Sequence, residues 1–309
     1  MTSFQPVLHH ISNDQNRRLA WWQWGAPDAP HLVVCVHGLT RQGRDFDVIA
    51  AALAARAQAQ GHAVRVVCLD VAGRGESDRL PDPLAYQPMT YVADVLPVLA
   101  ELQRCAPITA FDWIGTSMGG IMGMLVAGGP QNLLPAPVRR LVLNDVGPSV
   151  EWASWQRIMT YVGKHSTWPT VEAAAASLRA SHTGFGPHTD AAWLELSRHC
   201  LRQTPEGRWR EHYDPAITQP FGSVTREGND KAAAALWKVY DHIKAQVLLI
   251  RGGDSDLLSP ATAQAMSVRG PKARVVEFAG VGHAPTLIAP DQQRSVLNFL
   301  LPDPADQTA

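Results

Sequence analysis

The sequence predicts an α/β fold: a mostly parallel central sheet covered by helices on both faces. Three observations lead there. Six short runs rich in Val, Ile and Leu recur along the 309 residues, each closed by turn residues and most followed by an Ala/Leu-rich stretch. These runs are continuously apolar rather than alternating, as strands buried on both faces require. One of them ends in "GTSMGG", residues 115–120, which leaves a small polar residue where a buried strand must turn into a helix.

The predicted strands are "HLVVCVHG" (31–38), "AVRVVCLD" (63–70), "ITAFDWIG" (108–115), "VRRLVLND" (138–145), "AQVLLIRG" (245–252) and "ARVVEFAG" (273–280). Ahead of them, Val7 to Ile11 and Arg18 to Trp24 are expected to pair antiparallel at the sheet edge. In "WWQW" (21–24), strand alternation sends Trp22 and Trp24 to one face and Trp21 to the other, and packing is the expected role. Most gaps between strands hold one helix, but Asp145 to Ala245 spans about a hundred residues without a parallel-strand run. Ala-rich helical patterns there, "TVEAAAASLRA" and "DAAWLELSRHCL", predict an inserted helical cap over 148–235. The core is then 1–147 and 236–309. Surface helices spread around the core are the competing reading. Trp152, Trp155, Tyr161 and Trp168 offer bulky apolar surface within the cap, fit either to roof a pocket or to pack helices together.

Composition narrows the function classes. A formal net charge of -1 and no clustered Lys/Arg stripe leave no footprint for nucleic acid or an anionic membrane. A small molecule is the expected partner, and oligomeric state stays open. The N-terminal stretch lacks a basic segment followed by an apolar one, and no window approaches roughly 18 consecutive apolar residues. Cys35, Cys68, Cys105 and Cys200 are scattered without C-x-x-C spacing, so a reduced, cytoplasmic protein is expected. Twelve histidines raise the question of metal. No H-E-x-x-H occurs, and His9/His10 and His182/His188 lack carboxylates at ligand spacing, so no metal is expected. "GRGES" lacks the third glycine of a dinucleotide fingerprint, and no cofactor is expected either.

The chemistry is read from Ser117. Strand, Gly115-Thr116-Ser117-Met118-Gly119, then helix is the G-x-S-x-G nucleophile elbow, whose neighbours must be small because backbone passes close by. A serine hydroxyl is a poor nucleophile until a base takes its proton. His283, in "GVGHAP" after the last predicted strand, is the expected base. For the acid, Asp256 in "RGGDSDLLSP" is favoured, with Asp254 and Asp145 also at the carboxyl edge. The loop after the first long parallel strand and the residue after the nucleophile supply oxyanion donors in this architecture, which selects the Leu39 and Met118 backbone N–H groups. His37 is expected to support that loop rather than carry protons.

Taken in order, "HG" (37–38), "DVAGRGESD" (70–78), "GTSMGG" (115–120), "LNDVGP" (143–148), "GGDSDLLSP" (252–260) and "GVGHAP" (280–285) resemble the α/β-hydrolase superfamily over nearly the whole chain, in its serine esterase and lipase-like branch with a helical cap. The resemblance implies Ser117 as nucleophile, His283 as base, Asp256 as acid, and Leu39 with Met118 as oxyanion hole. It also implies that Arg74 and Asp78 tie down a rim loop. Some members place the acid after the preceding strand, which keeps Asp145 in play. The expected activity is that of a carboxylesterase on a small, largely apolar ester. C–C bond hydrolysis or perhydrolysis on the same triad, or a non-catalytic small-molecule receptor, are the alternatives.

Overall fold

A computed structural model describes residues 5–164 and 166–303; the ends of the expected core segment, 1–4 and 304–309, lie outside the described residues. All six predicted parallel strands form, as β3 (His31–Val36), β4 (Arg65–Asp70), β5 (Ala110–Thr116), β6 (Val138–Asn144), β10 (Gln246–Gly252) and β11 (Arg274–Phe278). The N-terminal hairpin, β1 (Val7–Ser12) and β2 (Arg18–Gly25), extends the sheet antiparallel on β4. The spatial order is β1-β2-β4-β3-β5-β6-β10-β11.

Two-residue periodicity divides each strand between the two sheet faces. Leu32, Val34 and Val36 of β3, Phe111 and Trp113 of β5, and Leu141 and Leu143 of β6 face one core. Val33, Cys35, Ile114 and Val142 face the other. Helices α2 (Pro88–Cys105), α3 (Met118–Gly128) and α8 (Pro260–Val268) cover the first face, and α1 (Asp47–Ala59) with α9 (Pro290–Leu300) the second. The tryptophans of β2 divide as their alternation dictates. Trp21 enters the first core, Trp24 the second, and Trp22 packs against the second.

The long gap holds α4 (Trp152–Tyr161), α5 (Val171–Ser181) and α6 (Asp190–Arg198), followed by α7 (Arg226–His242). Threonine side chains start three of these helices: Thr170, Thr189 and Thr225 accept from the N–H groups of Ala173, Ala192 and Gly228 at 3.1, 3.2 and 3.1 Å. Helix α7 lies on α3, where Gly128 leaves room for the Val239 backbone, so the expected boundary at 235/236 falls inside a helix of the core layer. The insertion also contains a small antiparallel sheet, β7 (Thr167–Trp168), β9 (Trp209–Glu211) and β8 (Leu201–Gln203), in that order. Strands of two or three residues carry no readable alternation, so the sequence pattern reads only the helices there. No helix among the described residues is long and apolar enough to cross a membrane.

Candidate active site

Ser117 sits between β5 and α3 at φ 52°, ψ -115°, a region that residues with a Cβ avoid. The turn is over-determined by its neighbours. The Ser117 N–H donates to the Asn144 carbonyl at 3.0 Å, which locks the elbow to the end of β6. A Cβ on Gly119 would fall on the backbone carbonyl of Val36, and one on Gly115 on the carbonyl of Gly119. Gly119→Ala is therefore expected to dislodge the elbow from β3. The melting temperature of purified protein should fall, or soluble yield collapse; an unchanged Tm would contradict this packing.

His283 arrives on the loop after β11. Its Nε2 accepts from the Ser117 hydroxyl at 2.9 Å, and its Nδ1–H donates to Asp145 Oδ2 at 2.7 Å. That pairing fixes the tautomer, with the proton on Nδ1 and a lone pair facing the serine. The loop is tied down from both sides: the Asn144 amide donates to Pro285 O at 2.7 Å, and Gly282 N–H to Gly184 O of the insertion at 2.7 Å.

Asp145, not Asp256, is the carboxylate brought to His283. The Asp145 side chain is fully buried, and three donors converge on it. Gly252 N–H reaches Oδ1 at 2.8 Å, while the Ser255 hydroxyl and His283 reach Oδ2 at 2.6 and 2.7 Å. Asp256 turns to the insertion instead. It receives Arg157 Nε at 2.7 Å and Nη2 at 2.9 Å, with its side chain 49% exposed. Partial burial opposes its ionisation, but the Arg157 hydrogen bonds and charge hold its carboxyl below the usual range. Asp254 is exposed, and its backbone N–H donates to Val281 O at 2.8 Å. β6 and β10 are sheet neighbours, so carboxylates after either strand start within reach of His283. What separates them is Arg157, a partner supplied by a distant helix that no local motif announces.

Met118 follows Ser117 in the chain, and Leu39 lines the cavity beside Ser117. Met118 opens α3, so its N–H lies outside the helical ladder. Arg74 braces both residues: its Nε donates to Leu39 O at 2.9 Å and its Nη2 lies 3.8 Å from Met118 Sδ, while Nη1 reaches the Tyr91 hydroxyl at 3.1 Å. Asp78 accepts from Arg18 N–H at 2.7 Å, fixing the other end of the same loop.

His37 is wholly buried between two backbone groups, donating from Nδ1 to Gly38 O at 2.7 Å and accepting Val71 N–H at 3.0 Å through Nε2. Burial, reinforced by Arg74 and Arg41 against the opposing Gly38 bond, lowers its pKa to about 3. Folded His37 therefore resists a proton that the unfolded chain accepts below about 6.5. Stability is fully present above that value and is lost as pH falls from there toward 3, with a slope of up to about 1.4 kcal/mol per pH unit. His182 and His212, each lowered to about 4 chiefly by burial, act with the same sign. Urea unfolding of wild type and His37→Asn between pH 7 and 5 should show the shallower slope in the variant.

Two spaces meet at His283. One is a cavity of about 120 Å3 beside Ser117, walled by Leu39, Phe46, Ile158, Val162, Phe185 and Leu196. The other is a groove of about 620 Å3, more polar, bordered by Arg157, Tyr161, Lys164, Trp168, Ser177 and Glu211. Of the four cap aromatics, Tyr161 borders both spaces and Trp168 the groove, whereas Trp155 packs edge-on against Phe221 at 4.8 Å. Among the described residues no cluster of His, Cys, Asp and Glu is arranged to hold a metal.

Fold and site together define a hydrolase: the chain belongs to the alpha/beta hydrolase family, whose model matches residues 33–294. Among characterised relatives, it is 42% identical to a 3-hydroxybutyrate-oligomer hydrolase of Cupriavidus necator over 278 residues, covering 89% of this chain and 90% of that protein. It is 27% identical to esterase Rv0045c of Mycobacterium tuberculosis over 301 residues, covering 95% of this chain and 88% of the relative. Among solved structures, an alpha/beta hydrolase of Novosphingobium aromaticivorans superposes with a TM-score of 0.80 at 32% identity, over 97% of this chain and 99% of that one.

Proposed function

We propose that this protein is a serine esterase that cleaves short esters of small hydroxy acids, 3-hydroxybutyrate oligomers among them. The observation that carries the reading is the unbroken hydrogen-bond chain from Ser117 through His283 to buried Asp145. As the Ser117 oxygen attacks the ester carbonyl, its proton passes to His283 Nε2, and the imidazolium formed is stabilised by the carboxylate at Nδ1. The Leu39 and Met118 N–H groups receive the charge developing on the carbonyl oxygen. His283 then hands the proton to the departing alcohol, and water, activated by the same imidazole, releases the acid from Ser117 and restores the hydroxyl.

The substrate class rests on two further supports. The relative named for oligomer hydrolysis shares 42% identity over nearly its whole length. The site also offers a small apolar cavity and a larger, more polar groove, both bordered by His283, which suits a compact acyl unit joined to a chain bearing repeated ester oxygens. A panel consisting of 3-hydroxybutyrate dimer and trimer, p-nitrophenyl esters of graded acyl length, and a vinylogous diketone tests the reading. Highest kcat/KM on the hydroxybutyrate esters is the expected result. Preference for the diketone would replace ester hydrolysis by C–C cleavage, and turnover of none would return the chain to a binding role.

A further inference from the structure

At the seam between the insertion and the core lies a solvent-open pocket of about 500 Å3 that touches neither Ser117 nor His283. Five arginines line it, Arg17, Arg18, Arg79, Arg202 and Arg210, together with His212. Arg17 is accounted for, since Asp94 receives its guanidinium through two bonds of 3.1 and 2.5 Å. The other four are held loosely. The Arg18 guanidinium comes no closer than 3.7 Å to Asp78, whose carboxylate already holds the Arg18 backbone N–H, and that of Arg79 no closer than 3.8 Å to Asp214. Asp214 is already engaged, accepting from the Tyr86 hydroxyl at 2.7 Å and Ala216 N–H at 3.1 Å. Arg202 gives a single Nη2 to Glu76 at 2.9 Å, and Arg210 forms no ion pair among the described residues.

Strand register makes this arrangement costly. Arg202 on β8 stands directly opposite Arg210 on β9, and like charges facing each other across a strand pair are destabilising. His212 continues β9, its N–H donating to Cys200 O at 2.7 Å, and two-residue alternation returns its ring to the side of Arg210. Four guanidinium groups with open donors thus converge from three stretches of chain. These are the start of β2, the loop after β4, and the small sheet of the insertion.

A lone carboxylate would balance one of these charges. A phosphoryl group carries close to two, and its oxygens match the planar donor fork of arginine. We propose that this seam binds a phosphate-bearing anion of about diphosphate size, bridging Arg18 and Arg79 of the core to Arg202 and Arg210 of the insertion.

Calorimetric titration with inorganic pyrophosphate tests this, at an ionic strength held constant with sodium chloride so that general screening stays fixed. One saturable site is expected, with a ligand-dependent rise in Tm. Arg210→Gln should weaken binding roughly tenfold, and Arg79→Gln combined with it should abolish the heat. Without ligand, Arg210→Gln should melt no lower than wild type, because one of two opposed charges has gone, and its p-nitrophenyl ester turnover should be unchanged. Heat no greater than that of added chloride, or equal affinity in wild type and both variants, would overturn the proposal. If Arg210→Gln does not fold, Arg18→Gln, an exposed side chain, supplies the same comparison.

Discussion

Ser117→Ala should lower kcat for ester hydrolysis by on the order of 10⁶-fold, the loss seen when the nucleophile is taken from a catalytic unit of this kind. The fold should be retained, because the substitution removes one oxygen and leaves the Cβ where it is. The backbone bond from residue 117 to the Asn144 carbonyl, which holds the turn, is untouched. Steady-state assays on a p-nitrophenyl ester, with far-UV circular dichroism and Tm as controls, decide the matter. Intact protein mass after exposure to a fluorophosphonate gives an independent reading: wild type should gain one adduct at Ser117, and the variant none. Turnover by the variant within tenfold of wild type would remove Ser117 from the mechanism.

Asp145→Asn should cost about 10⁴-fold in kcat, since an amide in that place can turn an N–H toward Nδ1 and favour the tautomer with its proton facing the serine. Asp145 is fully buried among Gly252, Ser255 and His283, so KM and unfolding should be measured alongside to separate chemistry from folding. The companion variant, Asp256→Asn, should keep kcat within a few-fold of wild type. It loses only a half-exposed ion pair to Arg157, the kind that contributes roughly 0–1 kcal/mol. Equal losses in the two variants, or the larger loss in Asp256→Asn, would reverse the assignment of the acid.

The contrast between these carboxylates marks how far the sequence reaches. The sheet was legible because its strands announce themselves twice, as apolar runs and as residues that divide between two cores. Val33 and Cys35 face one way, Val34 and Val36 the other. Ser117 and His283 were legible because their glycine neighbours answer to local geometry. Gly115 and Gly119 have no room for a Cβ, and Gly282 lies against the insertion at Gly184. Asp145 and Asp256 both follow strands and both end at the same rim, so chain position does not separate them. Their difference lies in what comes to meet them: Ser255 and a backbone N–H for one, Arg157 for the other. The same limit hid the small sheet of the insertion, where strands of two and three residues are shaped by long-range pairing rather than by their own pattern.

The stretch that holds the insertion and α7 leaves the sheet just after β6 and rejoins it at β10, and these two strands are hydrogen-bonded side by side. Its entrance and exit are therefore two neighbouring threads of one fabric, and a different length of chain sewn between them would leave the weave of the sheet undisturbed. The carboxylate at the first stitch, Asp145, is anchored by residues beyond the second, Gly252 and Ser255. Roof and cloth are nonetheless tacked together at one point beside His283, where Gly282 N–H is held by Gly184 O of the insertion.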